Sequence, residues 1–327
     1  MPRIPEDGAD ALPKLPVRPA GITRWAGRPR ARAELLAAES SAHRHVDQVR
    51  RHPPARRVQA QTALASVWRE LGEDRLAGLL FRFTLSGARA ARVPPLDGIA
   101  AAYREWGLWA RRTGQLQQAH TLYRDAMALF EERYGPGHAT VATVCRDLGE
   151  LARVRGDISE GLAWARRAVD IRLRLLGDGH PDVAAAVVSW AALMARQGDS
   201  AHARELLREA LDAFGAACGP ESFEVADTLD HLGGIARRSG ELACAEEAYV
   251  RALRLKEKTL GPDHPECAVT LIQLAALHED RQDLERARLG YARALPLLAC
   301  WGAAYRALVV AAQRGLASLS QQKNEKL

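Results

Sequence analysis

The stretch "TLGPDHPECA" at residues 259–268 decides the fold of this protein, because it recurs along the chain. Related stretches are "RYGPGHATVA" at 133–142, "LLGDGHPDVA" at 175–184 and "ACGPESFEVA" at 217–226. Their first glycines are Gly135, Gly177, Gly219 and Gly261, so each lies 42 residues after the one before. A fixed period of this length predicts an array of stacked structural units, and a loop that occurs four times is a poor candidate for a catalytic site.

Two amphipathic helices are predicted between successive copies of this stretch. In residues 225–236 the apolar positions are spaced four, three and four residues apart, which is typical of one helix face: Val225, Leu229, Leu232 and Ala236. The sequence "RSGE" interrupts this pattern at Gly240, and a second apolar stripe follows at Ala245, Ala248, Tyr249, Ala252 and Leu253. Neither helix can bury its stripe alone, so we predict a helical hairpin in each unit.

Small residues recur at three positions of this frame and predict close contact between the two helices of each hairpin. The first-helix column is Gly107, Gly149, Ala191, Gly233 and Ala275. The second-helix columns are Ala119, Gly161, Ala203, Ala245 and Ala287, and Ala126, Ala168, Ala210, Ala252 and Ala294. Between these small residues, four second helices carry a large side chain, at Tyr123, Leu207, Tyr249 and Tyr291. Ala165 takes that position in the remaining unit, which we therefore expect to pack less tightly.

The same 42-residue repeat pattern extends upstream and downstream of these units. Upstream, it matches Ala65, Gly72, Ala77, Phe81 and Thr84, and downstream it reaches Ala317 in a predicted helix over 303–319 that has no partner helix. These small-residue columns resemble the tetratricopeptide repeat (TPR), and the 42-residue period with LGPDHP-type connections is similar to the kinesin-light-chain subtype. The resemblance implies an all-α fold, namely a right-handed α-solenoid of about six hairpins with a C-terminal capping helix. It also implies that the first helices line a concave, ligand-binding face.

Composition and the apolar pattern divide the chain into four predicted segments. Residues 1–30 contain six prolines and predict a disordered Pro/Arg-rich tail, and residues 31–57 predict a basic helix and a linker. Residues 58–320 form the predicted solenoid with its capping helix, and 321–327 a second disordered tail. The formal net charge of +6 resides in residues 1–57, so the predicted solenoid is neutral and its composition does not indicate a nucleic-acid-binding surface.

Composition favours a cytoplasmic protein without a membrane segment. No apolar run approaches the ~18 residues of a membrane helix, and the N-terminus lacks the apolar core of a secretory signal. The five cysteines form no CxxC pair, and their odd number favours a reducing compartment.

The sequence contains no catalytic or cofactor-binding motif of the P-loop, HExxH, GxSxG or dinucleotide-binding type. His138, His180 and His264 recur once per repeat, at least about 10 Å apart, and so cannot share one metal ion. We interpret the stretches that contain them as connectors between helices. The cluster His43, His45 and His52 is interpreted as surface histidines. We therefore expect no enzyme activity, no cofactor and no metal.

A candidate binding surface lies on the stripe of each first helix that is turned away from its paired helix. Most of this stripe is arginine: the predicted groove residues are Arg104, Leu108, Arg111, Arg112, Arg146, Arg153, Val188, Arg196, Arg237 and Arg238. Arginine presents a planar fork of donors that suits carboxylates. The stripe predicts an acidic peptide as ligand, and the alternative is that these arginines are only solvated surface residues. Arg172 and Arg174 lie late in a second helix, and we expect them to lie away from the groove.

The predicted function is a non-enzymatic protein–protein interaction module, or scaffold, that binds an acidic peptide segment of a partner protein. A peptide-sensing regulator is the first alternative. Nucleic-acid binding is a second alternative, because the N-terminal segment is basic. An accessory domain of an enzyme complex is the third alternative. No sequence feature indicates an oligomeric state.

Overall fold

The computed structural model describes residues 32–299 and 305–324, so the expectation of a disordered tail at 1–30 lies outside the described residues. Within these ranges the chain forms fourteen α-helices and no strand. The helices are α1 (Arg32–Gln48), α2 (Pro54–Leu71), α3 (Asp74–Arg89), α4 (Leu96–Arg112), α5 (Leu116–Tyr134), α6 (Ala139–Arg155), α7 (Ile158–Leu176), α8 (Pro181–Gln197), α9 (Ser200–Cys218), α10 (Phe223–Arg238), α11 (Leu242–Leu260), α12 (Pro265–Asp280), α13 (Leu284–Ala299) and α14 (Arg306–Asn324).

Six hairpins are stacked in chain order. Each pairs an even-numbered first helix with the following second helix, from α2–α3 to α12–α13, and each second helix packs on the next first helix. Helix α14 packs on α13 at the end of the stack, and α1 packs on α2 at its beginning. The prediction of an all-α solenoid of about six hairpins with a final capping helix is thereby confirmed.

The repeated stretch is a helix connector in which the histidine caps the next helix. His138, His180 and His264 precede α6, α8 and α12, and the ring Nδ1 of each accepts a hydrogen bond from the backbone N–H two residues later, at 3.3, 3.1 and 3.2 Å. Ser222 has the same role before α10, where its Oγ accepts from the N–H of Val225 at 3.4 Å. A side-chain acceptor at this position satisfies one of the exposed N–H groups of the first helical turn.

The glycine of each connector ends the preceding helix. Gly135 and Gly261 have φ angles of 83° and 92° with extended ψ angles, a conformation that only glycine adopts without strain. Helices α8 and α12 then begin with proline, whose missing N–H costs nothing in the first turn.

Large aromatic side chains of the second helices pack directly against the glycines of the first helices. A Cβ atom placed on Gly107 would lie 2.5 Å from Tyr123 Cε1, and one on Gly233 would lie 2.8 Å from Tyr249 Cδ1. Both tyrosine rings are buried, so they cannot move aside. A side chain larger than hydrogen is therefore excluded at these two positions.

The expectation that the unit with Ala165 packs less tightly is wrong. A Cβ atom on Gly149 would lie 3.2 Å from the backbone oxygen of Gly161 and 3.5 Å from the backbone N of Ala165. Because no large side chain separates them, α6 and α7 approach until their backbones are in contact.

Two helix limits differ from the predicted segment boundaries. Helix α2 begins at Pro54, ahead of residue 58, because proline is accepted in a first helical turn although it cannot continue a helix. Helix α14 extends to Asn324, so residues 321–324 are helical and not a tail. The segment "QQKN" contains no Gly or Pro that would end the helix earlier.

The two ends of the stack meet at Tyr305. Its ring packs against the cluster of Leu35, Val67 and Leu71 from α1 and α2, and also against the apolar cluster of the last hairpin. Its hydroxyl donates a hydrogen bond to Glu266 Oε1 at 3.4 Å. The side chain therefore connects the first helices of the chain with the last hairpin.

We expect Gly107→Ala to destabilise the protein by ~1–3 kcal/mol, because the added methyl group overlaps the buried ring of Tyr123. Gly87→Ala in α3 is the matched control, since nothing lies within 4 Å of a Cβ atom at Gly87. Alanine there should stabilise the helix by about 0.5–1 kcal/mol. Urea unfolding followed by circular dichroism measures both changes, and destabilisation of equal size in the two variants would contradict the packing described here.

Candidate ligand-binding groove

The first helices form one continuous surface, which we call the groove face. Neighbouring first helices contact one another from α2 to α12, whereas the second helices pack chiefly on first helices. The first helices are therefore the more closely spaced of the two layers, and the stack bends toward them. The groove face is the surface of α2, α4, α6, α8, α10 and α12 turned away from the second helices.

In the first half of the groove face, two acids hold the predicted arginines. Asp147 Oδ2 accepts a hydrogen bond from Arg104 Nε at 2.6 Å, and its Oδ1 accepts from Arg146 Nη2 at 2.9 Å. Arg104 also donates to Glu105, which in turn accepts from Arg69 at 3.2 Å. Burial opposes the charge of Asp147, but the arginines around it outweigh burial and lower the pKa of its carboxyl group. This part of the surface is an ion-pair network rather than a row of unpaired cations.

The remaining predicted arginines of this half are paired in the same way. Glu150 accepts hydrogen bonds from Arg111 Nη1 at 3.2 Å and from Arg153 Nη2 at 2.7 Å. Arg112 pairs with Asp74 on the preceding hairpin. In the second half, Arg237 Nε donates to Asp280 Oδ2 at 2.5 Å. Six of the eight predicted arginines thus have a carboxylate partner.

The two apolar residues of the predicted site do not form an exposed anchor. Val188 has an exposed fraction of 0%, because its position lies between adjacent helices, and so it cannot contact a ligand. Leu108 is half-buried and packs on the core of its own hairpin. The inclusion of Val188 in the binding site is therefore wrong.

Arg196 and Arg238 differ from the other arginines of the groove face. Both are exposed, and neither forms an ion pair with a carboxylate in the part of the chain that the structure describes. Burial of part of the side chain lowers the pKa of the Arg238 guanidinium, and the positive charges of Arg196 and Arg237 act in the same direction. The C-terminal ends of α8 and α10 therefore carry a local excess of positive charge.

A hollow of about 260 Å3 lies beside Arg238. It is lined by Gly234, Arg237, Arg238, Tyr249, Gln273 and Asp280. Gly234 leaves this space open, whereas Leu108 occupies the equivalent position of α4. The Tyr249 hydroxyl is buried and has no hydrogen-bond partner among residues 32–299 and 305–324. The hollow can thus offer a guanidinium, an amide and a hydroxyl to a small polar group.

Arg172, expected to lie away from the groove together with Arg174, is buried in the interior, whereas Arg174 is exposed. Arg172 has an exposed fraction of 3%, and the charges of Arg146, Asp147 and Arg104 act on its guanidinium. A lone basic residue late in a helix resembles a solvated position in the sequence. Phe130 and Phe214, which stand 42 residues before and after Arg172, are the sequence signal that indicates an interior position.

Two kinds of site were not found in the described residues. Their His, Cys, Asp and Glu side chains form no group of three that could hold a metal ion, the cluster at His43, His45 and His52 included. None of the described helices combines the length and the apolar character that crossing a membrane requires.

Comparison with known proteins gives the following matches. A family model described as tetratricopeptide repeat matches residues 98–160, 146–216 and 224–299. No curated protein matches the sequence. Among the solved structures that share the fold are the following three, each below 25% identical to this chain.

The crystal structure of BtubC (BKLC) from P. vanneervenii has a TM-score of 0.59 and 23% identity, and the match covers 69% of this chain and 92% of that one. A Podospora anserina protein of the kinesin-light-chain type with nearly identical TPR-like repeats has a TM-score of 0.52 and 19% identity, and covers 64% and 99%. A Rap protein complexed with competence and sporulation factor has a TM-score of 0.64 and 13% identity, and covers 88% of each chain.

We expect Asp147→Asn to destabilise the protein by about 3 kcal/mol at neutral pH, because Arg104 and Arg146 lose the charge that neutralises them. The pKa of Asp147 is lower in the folded state than its value of about 3.9 in an unfolded chain. Its contribution to stability is therefore present above that pH and is lost as the pH falls through the folded-state pKa. Urea unfolding at neutral and acidic pH should show a smaller acid dependence in the variant.

Glu132→Gln, at an exposed position of α5, is the control for this prediction. It should leave both the stability and its pH dependence close to those of the wild type. An Asp147→Asn variant with unchanged acid dependence would show that this carboxylate does not stabilise the folded state.

Proposed function

The chain belongs to the tetratricopeptide repeat family, and we propose that it is a non-enzymatic interaction module that holds an acidic segment of a partner protein in its groove. The repeats provide a long surface of first helices without a catalytic motif in the sequence. The Rap protein with the same fold was solved with a bound factor, which supports the use of such a surface for ligand binding. The proposal includes a cytoplasmic location, which rests on cysteine usage.

The observation that carries the proposal is Arg238 at the hollow beside Gly234, together with Arg196, whose positive charge acts on Arg238. An acidic side chain can bind these guanidinium groups without displacing a carboxylate of the protein. Charge-assisted hydrogen bonds of this kind contribute ~1.5–3 kcal/mol when shielded and less when exposed. The hollow has the size to take one carboxylate side chain beside Tyr249 and Gln273.

The ion-paired arginines have a different part in this proposal. Arg111 and Arg153 share Glu150, and these side chains are partly exposed, so an incoming carboxylate can compete for them. Arg104, Arg112 and Arg146 are less exposed and are held by Asp147 and Asp74. We therefore assign Arg196 and Arg238 as primary contacts, Arg111, Arg153 and Arg237 as secondary contacts, and the other arginines to the stability of the groove.

Replacing both Arg196 and Arg238 by Glu should weaken the binding of an acidic peptide at least about tenfold, or ~1.4 kcal/mol, because attraction becomes repulsion. The probe is a short fluorescent peptide rich in Asp and Glu with one Trp, and binding is followed by fluorescence anisotropy. The affinity of the wild type should also fall clearly between low and physiological salt, since exposed charges are screened.

The matched control reverses Arg251 and Arg254, which are exposed on the second helix α11. It changes the net charge by the same amount on another face of the molecule. If both double variants lose affinity equally, the effect is one of net charge and the groove is not the binding surface. If neither loses affinity, the proposed site is wrong. The same assay with a labelled single-stranded oligonucleotide tests the nucleic-acid alternative.

A further inference from the structure

One interior position of the second helices holds a charged residue in two of the six hairpins. The residues at this 42-residue spacing are Ala88, Phe130, Arg172, Phe214, Lys256 and Leu298. All six are buried, and Arg172 and Lys256 have exposed fractions of 3% and 0%. A buried cation is costly unless a carboxylate neutralises it, so each requires a local explanation.

Lys256 is neutralised within the protein. Its Nζ lies 2.5 Å from Asp230 Oδ2 and 3.9 Å from Glu266 Oε2. Asp230 also accepts a hydrogen bond from the Thr270 hydroxyl at 2.8 Å. Burial acts to lower the pKa of the Lys256 ammonium, but Asp230 and Glu266 outweigh it, so the pKa is raised.

Arg172 lacks the carboxylate that corresponds to Asp230, although Asp182, which corresponds to Glu266, acts on its guanidinium through its charge. The position that corresponds to Asp230 is Arg146, 84 residues earlier, so a second cation stands where the other hairpin has an acid. Arg172 Nη1 reaches only the backbone oxygen of Asp182, at 3.5 Å. Its Nη2 and the Nε of Arg146 are both buried, and neither has a hydrogen-bond partner in the described ranges. Burial lowers the pKa of Arg172 to about 10, and the charge of Arg146 acts in the same direction.

We propose that an oxyanion, either a carboxylate or a phosphate group, enters from the groove and binds between Arg146 and Arg172. The anion neutralises the buried guanidinium as Asp230 neutralises Lys256. Two guanidinium groups with donors left over provide the planar, bidentate recognition that suits carboxylate and phosphate oxygens.

Access to this site is from the groove face. Arg146 is a first-helix residue whose side chain is 11% exposed, and Arg104 beside it is 19% exposed. Asp147 is already hydrogen-bonded to both of these arginines, and Arg172 receives only the more distant charge of Asp147 and of Asp182. The inference adds a second subsite to the groove of the proposed function, but inorganic phosphate alone tests it, without a partner peptide.

The experiment measures the melting temperature of the full chain against inorganic phosphate, with chloride at matched ionic strength as reference. We expect the wild-type Tm to rise with the logarithm of phosphate concentration, because the ligand binds the folded state only. Arg146→Asp recreates the arrangement of Asp230 and Lys256, and Arg172→Phe introduces the residue found at Phe130 and Phe214. Arg172→Phe should melt at a higher temperature than the wild type in chloride, because it removes a buried charge, and both variants should lose the response to phosphate.

Arg251→Glu is the control, since Arg251 is exposed on the second helix α11 and belongs to neither subsite, and it should leave the phosphate response unchanged. The acidic peptide, which contains no phosphate, is then added as competitor. If it suppresses the phosphate response, the natural oxyanion is a carboxylate of the partner. If it does not, the oxyanion is a phosphate group from another ligand.

Retention of the full phosphate response in Arg146→Asp and Arg172→Phe would overturn the proposal, and so would a wild type stabilised by neither phosphate nor peptide. The peptide assay with Arg196 and Arg238 reports on the other subsite. Failure of the oxyanion site can therefore be told apart from failure of the proposed function.

Discussion

Close contact between the two helices of each hairpin is the constraint on which the rest of the structure depends. Gly107 and Gly233 contact the rings of Tyr123 and Tyr249, and Gly149 contacts the backbone of α7 directly. These positions set the distance between the layer of first helices and the layer of second helices. They therefore also set the spacing of the first helices along the groove. A hairpin that opened would move the arginines and acids of its first helix away from those of its neighbours.

On the groove face, the charged side chains also connect neighbouring first helices of the stack. Arg104 pairs with Asp147, and Arg237 pairs with Asp280, so each cation is neutralised by an acid of the next first helix. Partly exposed pairs of this kind contribute modestly to stability, but their geometry fixes which surfaces stay charged. Arg196 and Arg238 remain as the exception, and Arg172 shows that the exception can also occur in the interior.

The sequence predicted the fold well because the fold depends on short-range regularities. The spacing of Gly135, Gly177, Gly219 and Gly261 and the small-residue columns are sufficient for hairpins and for their number. The binding surface was predicted less well. The partner of Arg104 is 43 residues away, on the next first helix. The apolar spacing within one helix does not tell which of its side chains face those of the neighbouring first helix. A stripe of arginines therefore looked unpaired, although Asp147 and Glu150 lie on the same stripe. The burial of Val188 and Arg172 was missed for a related reason. The position of a residue within its own helix does not show whether the neighbouring hairpin covers its side chain.

Contact between the two ends through Tyr305 changes how such an array should unfold. A linear array of repeats is described by intrinsic repeat stabilities and nearest-neighbour couplings, and its terminal repeats melt first. Here the ring of Tyr305 lies between Leu35, Val67 and Leu71 at one end and the last hairpin at the other, so neither terminus is an independent boundary. Loss of the first hairpin removes a contact of the last one as well. The Tyr305 contact therefore adds one coupling between the first and the last units to the nearest-neighbour couplings of the stack, and melting of the array gains cooperativity.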